Sequence, residues 1–384
     1  MKFDPSADTR SLYLHWPFCP YKCHFCPFVA LASHDQYMLQ YHEALKKEIV
    51  SFGQKMGRKQ QLDTIFIGGG TPSTYPIPAL LDTSGTLRTW FAFDDTCEIS
   101  LEVNPGTVTK EKLLGWKQAG INRLSIGVQS LKDEVLKKLN RFQTAGDVYA
   151  LLNEAQPLFD NMSVDLIVGL PGVTASEWKA IVQEVVTWPI RHVSVYFLSV
   201  HENTPLYFGV KAKKITLPHD DEVVDLYYWT VDTLGAHGFM QYEISNFAQP
   251  GYESRHNTAY WERKPYKGFG LGVCSFDGAG RFQNQKNLMT YLQNNELDQD
   301  CTIFAEELTR EQIQLERVML GMRRAQGISL LQLCEGLSSI EEEKIFETIG
   351  WLRDNKFIKQ AGDHIILTPA GLAVENEIVV KLSI

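Results

Sequence analysis

The chain has 384 residues, of which 44% are hydrophobic and 22% are charged, and its formal net charge is −9. This length is enough to bury a large core, and it predicts two or three domains. The acidic balance argues against a generic nucleic-acid binder, which needs a basic face, so we expect no nucleic-acid partner. The sequence has no run of about 18 apolar residues, so no membrane-spanning helix is expected.

The amino-terminal residues and the cysteines favour a reducing compartment. Residues 1–8 contain no apolar signal core, so we expect no export. The chain has seven cysteines, an odd number with three of them clustered, and this pattern suits metal binding better than disulfides. We therefore predict a cytoplasmic protein.

Strand and helix patterns alternate along the first half of the chain. Strands are predicted at residues 12–15, 64–67, 98–103, 123–128, 163–168 and 192–198. Helices are predicted between them, at 35–52, 110–119, 132–139, 147–158 and 176–186. Six strands that alternate with helices imply an α/β fold with a parallel sheet and right-handed crossovers. Six units fall short of a full eight-unit barrel, so we predict a partial, open (β/α)6 barrel.

The last 79 residues differ in character. Amphipathic helices are predicted at 308–322, 330–334 and 340–355, followed by a small β-wing at 364–371 and a final helix. This order is typical of a winged helix. The segment from 306 to 384 has nine Lys/Arg and thirteen Asp/Glu, a net charge of −4. That sign does not suit phosphate binding, so we interpret the segment as a packing or interaction lid.

Three cysteines lie directly after the first predicted strand. Cys19, Cys23 and Cys26 have the spacing C-x3-C-x2-C. Three thiolates on a tight loop can hold three irons of a four-iron cluster, and the fourth iron is then free to bind a small molecule. The alternative is a structural zinc site completed by His15 or His24. Zinc knuckles usually have a second C-x2-C-like pair, which this chain lacks, so the cluster is favoured.

Polar residues and glycines follow several of the predicted strands, at the end where parallel barrels place their chemistry. The candidates are Gly69, Gly70, Thr71, Glu102, Gln129 and Asp165. A glycine turn lets a backbone approach a ligand closely, and buried polar groups are costly unless they hold a ligand or one another. Taken singly, the glycines fit a tight turn and each polar side chain fits a satisfied core position.

A second informative stretch runs from Arg255 to Trp261. A neutral histidine such as His256 can ligate iron axially, and Tyr260 and Trp261 offer flat faces to a porphyrin. The alternative is an aromatic loop packed on the open end of the barrel, with His256 hydrogen-bonded to the backbone. From the residues alone, that alternative is the stronger.

The cysteine loop follows a Tyr-x-His-x-Pro-Phe run and ends in Phe-Cys, and in this it resembles the cluster loop of the radical S-adenosylmethionine superfamily, more narrowly its HemN/HemW branch. The resemblance implies a partial (β/α)6 radical SAM barrel with a C-terminal winged-helix-like domain. It also implies a [4Fe–4S] cluster held by the three cysteines and bound S-adenosylmethionine.

The same resemblance assigns roles to residues at matching positions. Arg141 should pair with the carboxylate of S-adenosylmethionine, and Glu102 should help to hold its methionyl end. Asp165 and Gln129 should reach the ribose side, and Tyr13 also occupies a motif position. The branch often has Leu-Gly-Arg-x-His, whereas residues 139–143 here keep only the arginine.

Within the branch, His-Asn-x-x-Tyr-Trp is typical of the HemW heme chaperones, and the match strengthens the heme interpretation of His256, Tyr260 and Trp261. The alternative is an oxygen-independent coproporphyrinogen III dehydrogenase of the HemN type. HemN has a further cysteine where this chain has Phe28, and a long arm where only 18 residues precede Cys19. The branch often has a histidine where this chain has Cys274, which can also ligate heme iron.

We therefore expect a barrel at 1–238, an extension at 239–305 and a winged-helix-like unit at 306–384. The expected cofactors are the cluster, S-adenosylmethionine and heme. The expected partners are an unidentified heme-acceptor protein, with membrane-associated proteins among the candidates, and an electron donor if radical chemistry occurs. Whether the chain is an enzyme is left open. An iron–sulfur regulator acting through the winged helix is disfavoured by the acidic charge.

Overall fold

A computed structural model describes residues 1–383. Its strands are β1 Ser11–Trp16, β2 Phe18–Cys19, β3 Leu31–Ala32, β4 Gln60–Gln61, β5 Thr64–Gly69, β6 Phe91–Ala92, β7 Glu98–Val103, β8 Arg123–Gln129, β9 Asn161–Val168, β10 His192–Phe197, β11 Met240–Gln241, β12 Asn246–Ala248, β13 Tyr266–Phe269, β14 Cys274–Phe276, β15 Gly280–Asn284, β16 Thr302–Glu307, β17 Ile328–Ser329, β18 Ile358–Ala361 and β19 His364–Leu367. Its α-helices are α1 Met38–Met56, α2 Ile77–Trp90, α3 Lys110–Gln118, α4 Asp133–Lys138, α5 Ala145–Ala155, α6 Ala175–Val185, α7 Pro205–Lys211, α8 Asp220–Ala236, α9 Arg255–Trp261, α10 Leu288–Glu296, α11 Arg310–Met322, α12 Leu330–Cys334, α13 Ser339–Asp354, α14 Pro369–Leu372 and α15 Glu375–Lys381. No helix within these residues is both long enough and apolar enough to cross a bilayer.

Twelve strands form one sheet, in the order β11-β12-β10-β9-β8-β7-β5-β1-β13-β14-β15-β16. The six central strands, β1, β5, β7, β8, β9 and β10, are parallel and follow one another in chain order. Helices connect them, as right-handed βα crossovers require. β1 pairs with β13 rather than with β10, so the barrel stays open. The predicted partial (β/α)6 barrel is confirmed.

The segment from 239 to 305 adds strands to both edges of the barrel sheet. β12 pairs antiparallel with β10 at one edge, and β13 pairs parallel with β1 at the other. β14, β15 and β16 then continue that edge in antiparallel order. The expected boundary at residue 238 stays a prediction, because this segment shares the sheet with the barrel.

A continuous apolar core lies between the sheet and its helices. Leu124, Ile126 and Val128 of β8 are buried in this core. Near the cysteine loop, Trp16 stacks on Tyr75 with ring centroids 3.8 Å apart. Its indole N–H donates to Thr74 Oγ1 at 3.0 Å, so the polar end of this buried ring is satisfied.

Helix α9 closes the amino end of the barrel. The backbone N–H groups of Arg255 and His256 donate to the two carboxylate oxygens of buried Glu98, at 3.0 and 3.1 Å. Ser254 caps the same helix by accepting from the Asn257 N–H. A carboxylate at a helix amino terminus satisfies otherwise unpaired donors and interacts favourably with the helix dipole. Glu98 therefore joins α9 to the first residue of β7.

The carboxyl-terminal residues form a small unit with its own core. β17, β19 and β18 make a three-stranded sheet that packs with α11, α13 and α15 around residues such as Val318, Ile349 and Ile365. The arrangement agrees with the predicted winged-helix-like unit. Glu316 in α11 accepts from both Arg263 and Arg281, at 2.8 and 2.7 Å, so ion pairs join this unit to the barrel extension.

We predict that Glu98→Ala lowers the free energy of unfolding by about 1–3 kcal/mol, because two buried N–H donors lose their acceptor. Urea unfolding followed by circular dichroism measures the change. Glu347→Ala is the matched control, since Glu347 is an exposed helical glutamate and should change stability little. Equal stability of the Glu98 variant and wild type would contradict this account of α9.

Candidate cluster and cofactor site

A cavity of about 510 Å³ opens at the carboxyl ends of the parallel strands. It brings together ten of the residues singled out from the sequence: Cys19, Cys23, Cys26, Gly69, Gly70, Thr71, Glu102, Gln129, Arg141 and Asp165. Four other candidates, Tyr13, His256, Tyr260 and Trp261, do not line it. A cavity of this size is typical of a site for one small-molecule ligand.

The glycine turn after β5 holds the cysteine loop in place. The Gly70 N–H donates to Trp16 O at 2.8 Å, and the Thr71 N–H donates to Phe18 O at 2.9 Å. A Cβ atom on Gly70 would lie 2.5 Å from Pro17 O, so only glycine fits this approach. These two N–H groups are therefore used within the protein, and the turn positions Cys19, while its contact with a ligand stays a prediction.

His15 fixes the far side of the same loop. Its Nε2 donates to Val29 O at 2.9 Å, which leaves Nδ1 to accept from the Tyr13 hydroxyl at 3.2 Å. Burial lowers the pKa of His15 to about 4, so the ring is neutral. Both ring nitrogens are occupied, so His15 does not complete a zinc site, and Tyr13 supports the loop from behind the cavity.

The three thiols are spread around the cavity. Within residues 1–383 the only three-residue group whose metal-ligating atoms all lie within 4.8 Å of one another is His42, Glu43 and Asp82. At least two of the three sulfur atoms of the loop are therefore more than 4.8 Å apart, whereas tetrahedral zinc with Zn–S bonds of about 2.3 Å requires roughly 3.8 Å. This spread suits a larger cluster and disfavours the zinc alternative.

The pKa values of two of the three loop thiols are raised by burial. Burial raises the pKa of Cys19 to about 11, although Thr71 Oγ1 donates to its sulfur at 3.2 Å. Burial also raises the pKa of Cys26. Metal coordination deprotonates such thiols outright, so we expect cluster binding to release protons.

The side chain of Arg141 passes Gly127 and lines the cavity. Its guanidinium donates to Gly127 O and lies 3.7 Å from Cys23 Sγ. A Cβ on Gly127 would come within 3.0 Å of both Arg141 Nη2 and Gln129 Nε2, so a larger residue there would crowd both side chains. Gln129 has φ +65°, a conformation that is strained for a residue with a side chain. The backbone at the end of β8 is thus distorted beside the cavity.

Two buried carboxyl groups lie deeper in the cavity. Glu102 accepts from the Gly69 N–H at 3.0 Å, yet burial raises its pKa to about 7. Burial also raises the pKa of Asp165, whose Oδ2 accepts from Ser125 at 3.3 Å. Buried carboxylates are stabilised by a cation or by donors. The pair therefore suits a ligand that brings an ammonium group or hydroxyl groups.

Two polar atoms in the cavity wall have no partner. They are Arg141 Nε and Asp165 Oδ1. Buried polar groups are nearly always hydrogen-bonded, so unpaired ones in a cavity wall indicate a missing ligand. One is a donor and the other an acceptor, which matches a ligand that carries both a carboxylate and hydroxyl groups.

His256 lies at the opposite end of the barrel. Its Nδ1 is hydrogen-bonded to Thr64 Oγ1 at 2.8 Å and its Nε2 to the Tyr260 hydroxyl at 2.9 Å. The ring stacks on Phe66, and burial lowers the pKa of His256 to about 3. Trp261 lines a separate cavity of about 890 Å³ at this amino end. The stretch from 255 to 261 is a helix, and iron ligation by His256 would require the hydrogen bond of the ligating ring nitrogen to break.

Sequence reasoning missed several residues of the cavity wall. Asn104 lies just after β7, where its side chain donates to the Tyr21 hydroxyl at 2.8 Å and so ties the cysteine loop to the sheet. Its place directly after the strand that carries Glu102 was the available signal. Tyr196, Phe197 and His201 also line the cavity, but the end of β10 has no motif that would have indicated them.

Comparisons with known proteins show the family of the chain. The family model of the Radical SAM superfamily matches residues 13–185, and that of the HemN C-terminal domain matches residues 308–374. The heme chaperone HemW of Bacillus subtilis is 33% identical over 374 residues, which cover 96% of this chain and 98% of that protein. The chain belongs to the HemW family of radical S-adenosylmethionine proteins. HemW of Synechocystis is 34% identical over 95% of this chain and 90% of its own length.

A solved structure gives the same fold. The chain is similar to coproporphyrinogen III oxidase, HemN, from Escherichia coli, a radical SAM enzyme. The TM-score is 0.84 at 25% sequence identity, and the match covers 99% of this chain and 91% of that chain. This chain and HemN therefore share both the barrel and the carboxyl-terminal unit.

Membership of the superfamily implies a [4Fe–4S] cluster and S-adenosylmethionine, and the cavity fits both. Its wall contains three spread thiols for the cluster. It also contains an unpaired arginine nitrogen and an unpaired carboxylate oxygen, which suit the polar groups of S-adenosylmethionine.

We predict that Cys19→Ala, Cys23→Ala and Cys26→Ala each abolish the brown chromophore after anaerobic reconstitution with iron and sulfide, because each removes one of three thiolate ligands. Iron, sulfide and zinc analysis provides the measurement. Cys334→Ala, in α12, is the control and should keep a full cluster. Stoichiometric zinc without iron in the wild-type protein would contradict the assignment.

Proposed function

We propose that this chain is a heme chaperone, which binds heme and a [4Fe–4S] cluster with S-adenosylmethionine and transfers the heme to an acceptor protein. The observation that carries the proposal is the match along nearly the whole length of two heme chaperones. The cysteine loop supports it, since Phe28 occupies the position at which HemN has a further cysteine.

Four side chains are proposed to bind S-adenosylmethionine. Arg141 binds its carboxylate, because the guanidinium reaches the cavity and keeps an unpaired Nε. Glu102 binds its ammonium group, since a buried carboxyl group is stabilised by a cation. Gln129 and Asp165 bind the ribose hydroxyl groups. The cluster, when bound, supplies an iron that can coordinate the methionyl end of the ligand.

The remaining parts of the proposal concern domains, heme contacts and partners. We keep the division into 1–238, 239–305 and 306–384. Heme contact by His256, Tyr260 and Trp261 stays a hypothesis that requires α9 to rearrange. The heme acceptor is a separate protein, membrane-associated proteins being candidates, and an electron donor is required only if the cluster reduces S-adenosylmethionine.

The second candidate function is the oxygen-independent conversion of coproporphyrinogen III. The specific observation in its favour is the TM-score of 0.84 against HemN over 99% of this chain. Both functions act on a porphyrin-like ligand, and both proteins have the same fold, so overall fold alone does not distinguish them.

We predict that S-adenosylmethionine binds more tightly as pH rises through 7. The pKa of Glu102 is about 7 in the free site because of burial, and pairing with an ammonium group lowers it. Below pH 7 binding must therefore release a proton, and affinity should fall by up to tenfold per pH unit. Above pH 8 the affinity should fall again, because the α-amino group of the ligand, with a pKa of about 8, loses the proton that makes it an ammonium group. Calorimetric titration between pH 5.5 and 8.5 measures this dependence.

Two variants distinguish the effect of Glu102 on this pH dependence from the effects of other groups. Glu102→Gln should flatten the pH dependence, because its side chain does not titrate. Arg141→Ala should lower the affinity for S-adenosylmethionine by more than tenfold at every pH, because loss of a charged partner costs about 2 kcal/mol. The pH dependence of binding should be the same as in wild type. An unchanged pH profile in Glu102→Gln would remove Glu102 from the ammonium site.

We predict stoichiometric heme binding without coproporphyrinogen turnover. The anaerobically reconstituted protein should develop a Soret band with one equivalent of hemin. In a separate assay with a reductant and S-adenosylmethionine, it should leave coproporphyrinogen III unchanged. HemN assayed in parallel is the positive control. Reductant-dependent formation of protoporphyrinogen IX would make this chain a dehydrogenase of the HemN type.

A further inference from the structure

One histidine of the ten in the chain lines the cluster cavity. His201 lies in the loop between β10 and α7, and its side chain is exposed. Only its carbonyl oxygen is engaged, by Thr204 Oγ1 at 2.7 Å, and within residues 1–383 its imidazole has no hydrogen-bond partner. The rings of His15 and His256 have both nitrogens bonded. His201 is therefore the histidine at this cavity that can ligate a metal without breaking a contact.

Exposed aromatic side chains surround the same opening. We call Phe28, Tyr196 and Phe197 the mouth aromatics, because all three line the cavity and are 66%, 41% and 39% exposed. Phe142 continues the apolar surface, since its ring packs against Tyr21 of the cavity wall at 5.2 Å. Exposed clusters of large apolar residues mark binding surfaces. Flat aromatic rings suit a flat apolar ligand.

The size of the cavity decides where such a ligand lies. A volume of about 510 Å³ accommodates one small-molecule ligand. Under the proposed function its floor holds the cluster and S-adenosylmethionine, so a porphyrin does not fit inside as well. It fits across the opening, against the mouth aromatics. Lys22 also lines this opening, and its ammonium group lies 3.5 Å from Phe28 O, where it can pair with a propionate carboxylate.

We infer that heme docks across the mouth of the cluster cavity, with His201 as an axial ligand of its iron and the mouth aromatics against its face. This inference rests on the proposed heme-binding function and specifies its site. It places the iron at the carboxyl end of the barrel, whereas His256 lies at the amino end. It also places heme directly over bound S-adenosylmethionine.

Titration of hemin into the reconstituted cluster-containing protein tests whether His201 is the axial ligand of the heme iron. His201→Ala should shift the Soret band and lower heme affinity at least tenfold. Added imidazole should restore the wild-type spectrum to His201→Gly by occupying the vacated iron position. His237→Ala is the matched control, because His237 is an exposed histidine outside the cavity. It should bind heme as the wild-type protein does.

Release of preloaded radiolabelled S-adenosylmethionine tests whether heme lies over the cluster cavity. One equivalent of hemin should slow its release at least tenfold from wild type and much less from His201→Ala. A wild-type spectrum and affinity in His201→Ala, or loss of the spectrum only in His256→Ala, would overturn the mouth site and leave the chaperone proposal standing. Release unaffected by bound heme would also overturn it. If wild type binds no heme, the chaperone proposal and this inference fail together.

Discussion

The site depends on the pairing of a glycine turn with the cysteine loop. Two backbone hydrogen bonds, from Gly70 to Trp16 and from Thr71 to Phe18, fix the loop to the end of β5. A side chain at position 70 would collide with Pro17. Because three separate thiols must meet one cluster, small movements of this loop would spoil the ligand geometry. Attachment to the rigid sheet thus fixes the positions of the three thiols more precisely than a flexible loop would.

Buried polar groups near the two ends of the barrel have different partners. At the amino end, Glu98, His256 and Thr64 satisfy one another and join α9 to the strands. At the carboxyl end, Arg141 and Asp165 keep unpaired atoms. Satisfied networks stabilise a fold, whereas unsatisfied ones beside a cavity are suited to a ligand. Unpaired atoms also occur at the amino end, where Trp261 Nε1 and Arg123 Nε have no partner. What marks Arg141 and Asp165 as candidate ligand-binding residues is therefore that they share one cavity with the three cysteines.

Much of the fold and site could be predicted because local patterns carried the information. The strand at residues 98–103 was predicted with its observed bounds, and the cysteine spacing located the cluster loop. The roles of the glycine turn and of His256 could not be predicted, since both depend on hydrogen bonds between residues far apart in the sequence. His201 was missed because a lone histidine after a strand has no motif, and only the folded chain places it beside Phe28 at one cavity.

The central claim is that three thiolates leave one iron of the cluster for S-adenosylmethionine. Mössbauer spectroscopy of the protein reconstituted with ⁵⁷Fe tests it most directly. The account predicts four irons per chain, with the signal of one iron changing when S-adenosylmethionine is added and the other three unchanged. Four irons that do not respond to S-adenosylmethionine would contradict it.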